Sequence, residues 1–277
     1  MSENSASNIP VFIINLEKDT DRKKHMENLC NLYGIKPSFI HAVYGNELSD
    51  KEIKDIIDNE KAIRYIKRPL TNGELGCLLS HKRIYKKIIE ENINIALIME
   101  DDVLFDNNLL DFLNYLDNLP KNFDVILLGH HTPTSRSIPT KTNLWYKKRI
   151  ACKFVLKKPA ELACGAYGYL VSNQGAKKLY NMLEKIFLPI DHYTGNYRFV
   201  NVYLLDPPII HIYEKLSECS TIDKVGNRNI LGNCNKNFGK SLKRKIAENL
   251  GIYKVLKSIK DKLSDIYIRI KLVRFYK

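Results

Sequence analysis

Three consecutive carboxylates, Glu100-Asp101-Asp102, follow directly on the apolar run Ala96-Leu97-Ile98-Met99. Like charges this close repel one another, and the end of a buried strand has no need of them, so the cluster calls for a positive charge. A divalent cation would supply it. Hard oxygen donors suit Mn2+ or Mg2+, and such an ion can bridge the phosphates of a nucleotide and stabilise the charge that builds on a departing diphosphate. A purely structural reading stays open beside it, in which Asp101 or Asp102 caps a helix beginning near Phe105. Asn15 and Arg22 flank the first strand-to-helix turn, where a nucleotide lies at the edge of a parallel sheet. Arg22 either grips a phosphate or ribose or makes an exposed salt bridge on a charged helix start. Ser80-His81 sits inside an apolar helix, as a ligand contact or as a satisfied core histidine. His130-His131 reads as a solvated loop pair and is assigned no role.

The elements that must position these groups follow from hydrophobic period and turn residues. Pro10 to Leu16 reads as a buried strand, residues 21–33 as a helix stopped by Gly34, and Phe39 to Val43 as a second strand. Residues 49–66 read as one helix with Ser49 as N-cap, and Leu75 to Ile89 as a largely buried helix. Ala96 to Met99 makes a central strand and Asp124 to Leu128 another. Residues 130–160 form a long loop or hairpin, Gly165 to Ser172 a strand, and Gln174 to Phe187 a helix. Strands alternating with helices predict a Rossmann-type αβα sandwich with a mainly parallel central sheet, whose ligands gather beyond the carboxyl ends of the strands. The acidic triplet stands at such an end.

The chain has 277 residues and a net charge of +13. From Lys240 to Lys277 twelve lysines and arginines face only Glu248, Asp261 and Asp265, a net of +9, which leaves +4 for everything before. The charge therefore belongs to a tail, in which Leu256, Ile259, Leu263, Ile266, Ile270 and Val273 mark one apolar stripe of a helix. A basic amphipathic helix suits an anionic membrane surface, with packing on the body as the competing reading. Nucleic acid is disfavoured, because no binding motif is visible and the aromatics do not interleave with the basic stretch. The six cysteines show no CxxC and no Cys/His ligand spacing, which predicts reduced, mostly buried thiols and argues against zinc. No secretory signal is legible in residues 1–9, which read as a frayed terminus, and no apolar run approaches a membrane span. The expected organisation is a catalytic domain over residues 10–235 and a helical tail over 236–277.

The ordered set of short motifs resembles glycosyltransferase family 25, the bacterial lipopolysaccharide glycosyltransferases. The set comprises Val11 to Leu16 with Asp21-Arg22, Phe39 to Gly45, Gly73 to His81 with Tyr85, and Ala96 to Asp102. It continues with Cys164 to Ser172 with Gly175-Ala176, Pro189-Ile190-Asp191, and Pro207-Pro208 to Ser220. The resemblance implies a GT-A-like fold and a UDP-sugar donor, UDP-galactose first, with UDP-glucose or a UDP-N-acetylhexosamine as alternatives. It further implies inversion at the anomeric carbon and a lipid-linked lipooligosaccharide acceptor. On this resemblance a peripheral enzyme on the cytoplasmic face of the bacterial inner membrane is expected, acting as a β-galactosyltransferase. Asn15, Leu16, Arg22, Ser80, His81, Glu100 and Asp101 are then expected at the donor, and Asp102 at the metal with His211 as a further ligand. Whether Glu100 reaches the ribose while Asp102 alone holds the ion stays open. Inverting transfer needs a carboxylate to take the acceptor's proton; Asp191 is the first candidate and Glu161 the second, against the plain alternatives of a helix cap and a surface glutamate.

Overall fold

The computed structural model describes residues 9–213. The basic tail, the last part of the expected catalytic domain and the first eight residues lie outside the described residues.

The chain opens with β1 (Val11–Asn15), buried along its whole length, followed by α1 (Thr20–Leu32). Gly34 takes φ +66° just beyond, a left-handed backbone that a glycine adopts without a Cβ penalty, so the helix stops there. β2 (Pro37–His41) pairs parallel with β1 and begins two residues earlier than its composition suggests, because the ladder runs from Val11↔Pro37 to Asn15↔His41. The single helix expected over 49–66 is two, α2 (Asp50–Ile56) and α3 (Asn59–Ile66). Ser49 and Glu52 form a capping box for the first, and Asp58 caps the second. The break falls where Ile57 bridges to Ile186 and the Asp58 N–H donates to the Ile186 carbonyl at 2.8 Å. α4 (Asn72–Glu90) starts from a second capping box, Thr71 with Glu74.

β3 (Ile95–Glu100) leads through the acidic turn into β4 (Val103–Phe105) and α5 (Asn107–Leu113). After β5 (Val125–Leu127), the 130–160 segment resolves into a loop and the hairpin of β6 (Thr142–Ala151) with β7 (Phe154–Pro159). β8 (Gly168–Ser172), α6 (Asn173–Met182), α7 (Ile190–Thr194), β9 (Val202–Asp206) and β10 (Ile210–Ile212) complete the described chain.

Eight strands form one sheet in the order β2-β1-β3-β8-β5-β9-β7-β6, and β10 pairs with β4 in a separate ribbon. Six of the eight run one way, and β8 and β7 run against them. The sheet is thus mostly parallel in strand direction, yet the pairings that β8 makes with both β3 and β5 are antiparallel. Both faces are covered. On one, Leu75, Leu78 and Ile84 of α4 and Leu179 of α6 pack on Phe12, Ile98 and Val171. On the other, Met26 and Cys30 of α1 and Phe112 of α5 pack on Ile13, Leu97 and Met99. Adjacent residues of one strand go to opposite faces, so a central strand covered on both sides reads as a continuous apolar run. Each such side chain contributes about 1.5–3 kcal/mol by leaving water, and this burial anchors β3 in the middle of the sheet with its end at the carboxyl edge.

Candidate active site

The carboxyl ends of β1 and β3 meet the start of β8, because the antiparallel register sets Met99 opposite Gly168 and the Glu100 N–H donates to the Tyr167 carbonyl at 3.0 Å. The reversal of β8 therefore brings residues 164–167 to the acidic triplet. Asp101 is 6% exposed; one oxygen accepts from Asn15 Nδ2 at 2.7 Å and the other from Arg22 Nη1 at 2.6 Å. Arg22 Nη2 lies 3.3 Å from Asp102 Oδ2. Burial works against the Arg22 charge, but Asp101 and Asp102 outweigh it and hold the guanidinium above its usual range. Burial raises the Asp101 carboxyl, only partly opposed by Arg22 and Asn15. For Asp102 burial and the neighbouring Glu100 charge prevail over Arg22 and Arg136, and the carboxyl is pushed up to about 7. Even with Arg22 in place the cluster is short of positive charge.

The helix-cap alternative for Asp101 and Asp102 is corrected: α5 is capped by Asp106, whose side chain accepts from the Asn108 N–H at 2.8 Å. The donor set that remains, the carboxylates of Asp102 and Glu100 where the two cavities described below adjoin, fits a hard divalent ion.

Two adjoining chambers open at this edge. The first is lined by Leu16, Arg22, Val43, Gly45, Cys77 and Ser80, the second by Arg68, Glu74, His131, Tyr167, Asp191 and His192. Glu100, Asp102 and Arg136 line both. The wall of the first depends on a close backbone crossing, since a Cβ on Gly76 would stand 2.4 Å from the Val43 carbonyl oxygen and one on Gly45 would stand 1.7 Å from that of Asn72. Ser80 Oγ holds the same crossing, accepting from the Val43 N–H at 2.8 Å and donating to the Gly76 carbonyl at 2.6 Å.

The expected donor residues are thus gathered, with differing parts. Leu16, Arg22, Ser80, Glu100 and Asp101 line the first chamber. Asn15 stands behind it and orients Asp101. His81 is wholly buried, between Tyr169 and Glu100. Asp191 lines the second chamber, and in place of a cap role its Oδ1 accepts from the Gly165 and Ala166 N–H groups at 2.8 Å each; Pro189 holds the N-cap position of α7. Glu161 lies elsewhere, accepting from the Lys141 N–H at 2.9 Å and lining neither chamber. His211 is exposed on β10 opposite Leu104 and also lines neither.

Arg136, Tyr167 and His131 are additions that the sequence did not single out. His131 corrects the solvated-pair reading: its ring stacks on Tyr167 at 6.0 Å and 6° and forms part of the second chamber. Their signal was only indirect, in the irregular 130–160 segment and in the glycine-bounded Gly165 to Gly168.

The family profile described as glycosyltransferase family 25 (LPS biosynthesis protein) matches residues 8–194. Procollagen galactosyltransferase 1-A of Xenopus laevis is 30% identical over 195 residues, which is 66% of this chain and 30% of that protein. A glycosyltransferase 25 family member of Aedes aegypti is 32% identical over 198 residues, again 66% of this chain and 30% of the relative. The chain therefore spans about a third of the length of these relatives. The crystal structure of a glycosyltransferase involved in the glycosylation of the major capsid of PBCV-1 aligns over 79% of this chain and 78% of its own. That alignment has a TM-score of 0.30 and 10% identity, a likeness too slight to bear weight. The profile match takes in the first strand, the Gly73 to His81 helix start, the acidic triplet and the Asp191 segment, and on that match the chain belongs to glycosyltransferase family 25.

Proposed function

We propose that the chain transfers a hexose, galactose from UDP-galactose, to a sugar hydroxyl of a lipid-linked oligosaccharide, with inversion at the anomeric carbon. The observation that carries this reading is the pair of chambers sharing Glu100, Asp102 and Arg136, with Asp191 on the far side of the shared residues. An in-line displacement needs that layout: a nucleotide on one side, an acceptor on the other, and charge compensation between them. In this reading uridine and ribose occupy the first chamber and the diphosphate lies against Asp102 and Arg136. The acceptor hydroxyl enters the second chamber and gives its proton to Asp191. Its oxygen bonds to the anomeric carbon as the bond to UDP breaks. A hard divalent ion held by Asp102, with Glu100 beside it, would supply charge stabilisation for the departing diphosphate.

Galactose is favoured by the names of the relatives, procollagen galactosyltransferases, and a saccharide acceptor by the family's description as a lipopolysaccharide biosynthesis protein. The experiment is incubation with UDP-galactose, UDP-glucose and UDP-N-acetylglucosamine against a truncated lipooligosaccharide and a collagen-type peptide, with products identified by mass spectrometry. Galactose on the lipooligosaccharide is expected. Transfer to the peptide alone would move the acceptor to protein, and no transfer from any donor would overturn the assignment. Among the described residues no helix is long and apolar enough to cross a membrane. The proposed attachment is peripheral, on the cytoplasmic face of the inner membrane, through the basic stripe of residues 240–277.

A further inference from the structure

Cys77 and His81 stand one helical turn apart on α4 and so share a face. Glu100, arriving from β3, meets both: Cys77 Sγ lies 3.8 Å and His81 Nε2 3.7 Å from the same atom, Glu100 Oε1. The three candidate ligand atoms fall within 4.8 Å of one another. His81 is completely buried, and its Nε2 has no hydrogen-bond partner. A buried polar atom without a hydrogen bond is costly to keep, and this one faces the Glu100 carboxylate at 3.7 Å with the Cys77 thiol beside it. The other ring nitrogen, Nδ1, is hydrogen-bonded to the Tyr169 hydroxyl at 2.8 Å, which is tied in turn to the Tyr85 hydroxyl at 2.7 Å. Outer support of this kind is what fixes the tautomer and ring angle of a metal-bound histidine.

We propose that Cys77, His81 and Glu100 form a binding site for a borderline-soft divalent cation of the zinc class, which shares Glu100 with the hard-ion position at Asp102 and draws its other two donors from α4. The donor types agree, since thiolate, imidazole and carboxylate together select zinc over magnesium or manganese. So do the spacings. Zinc bonds of about 2.0–2.3 Å in a tetrahedron put ligand atoms about 3.4–3.6 Å apart, so the 3.7 and 3.8 Å to Glu100 close by a few tenths of an ångström, and Cys77 Sγ and His81 Nε2, within 4.8 Å of each other, close by about 1 Å at most. Binding releases the Cys77 thiol proton to solvent. Cys77 and Glu100 line the first chamber, so the fourth position opens there to water. Occupancy draws Glu100 onto the metal beside the nucleotide, and zinc then inhibits in competition with the donor; this consequence rests on the proposed function, whereas the binding does not.

Cobalt(II) added to the full-length protein should give a thiolate-to-cobalt charge-transfer band in the near ultraviolet. The band should be lost in Cys77→Ser and kept in Asp102→Asn, and zinc affinity, measured by competition with a chromophoric chelator, should weaken about tenfold or more in Cys77→Ser and in His81→Gln. Absence of the band, or an equal band in Cys77→Ser, would overturn the site. Zinc inhibition of hexose transfer that persists unchanged in Cys77→Ser would overturn the inhibitory role. Failure of transfer with every donor would strike the proposed function alone, because the cobalt band is read without turnover.

Discussion

Asp191→Asn separates the two roles that the geometry gives this carboxylate. Its Oδ1 accepts from two buried backbone N–H groups, those of Gly165 and Ala166, at 2.8 Å each. An asparagine oxygen can accept both, so only the charge assistance is lost. Charged acceptors make bonds about twice as strong as neutral ones, whose net contribution is about 1 kcal/mol, so the expected loss of stability is about 1–2 kcal/mol for the pair. Asp191→Ala removes the acceptor and orphans both donors, at about 1–3 kcal/mol each, hence about 2–6 kcal/mol in all. Neither asparagine nor alanine can take the acceptor's proton. General-base loss lowers turnover by about 10²–10⁴, so the asparagine variant should be more stable than the alanine variant yet nearly as inactive. Urea unfolding gives the first comparison and initial rates of hexose transfer the second. Calorimetry with UDP is the control, since the first chamber is not lined by Asp191. An asparagine variant that keeps more than about a tenth of the wild-type rate would remove Asp191 from the chemistry and leave it only the backbone clamp.

Asp102→Asn should abolish transfer with the fold retained, and excess EDTA should do the same to wild type, by several kcal/mol of barrier and so orders of magnitude in rate; full activity in EDTA would refute the metal role. Gly76→Ala forces a Cβ against the Val43 carbonyl and the Gly45 nitrogen, both backbone, and should cost about 1–3 kcal/mol by shifted unfolding midpoint; an unchanged midpoint would show that the crossing yields. Lys158, 2% exposed, donates to Asn201 Oδ1 and the Val202 carbonyl, yet burial lowers its pKa to about 7 against a weaker pull from Asp124. Between pH 7 and about 10 the unfolded chain keeps the lysine proton that the folded chain has lost, so the contribution of Lys158 to stability rises with pH, by about 2 kcal/mol from pH 7 to 9. That rise should vanish from the unfolding curves of Lys158→Met, and an identical rise in the variant would contradict it. Deleting residues 240–277 should release the protein from anionic vesicles at moderate salt while sparing transfer to a soluble acceptor, and equal vesicle binding by both forms would exclude the tail as the anchor.

Much of this was legible in the sequence because it is local. An N-cap is a property of one residue and the turn after it, so Ser49 announces its helix, and a strand buried on both faces announces itself as an apolar run, as β1 and β3 do; the helix expected from Leu75 starts three residues earlier, at the Thr71 cap. The acidic triplet at the end of β3 was visible for the same reason. Strand direction is not local. Nothing within Gly168 to Ser172 encodes that β8 runs against β3 and β5, a choice made by pairing partners more than 40 residues away in the sequence, and that reversal carries Tyr167 and the Asp191 clamp to the triplet. The helix expected over 49–66 breaks for a similar reason, since Ile186 takes the backbone at Ile57 and Asp58 out of helical pairing. The cluster behind the proposed zinc-class site leaves no trace in cysteine spacing along the chain, because α4 lays Cys77 and His81 on one face and Glu100 of β3 meets them from 19 residues beyond His81. Residue type and helical period are properties of a short stretch of chain, whereas a site assembled from three elements exists only once the sheet has chosen its partners, because the free energy that orders those partners comes from core burial far from the site itself.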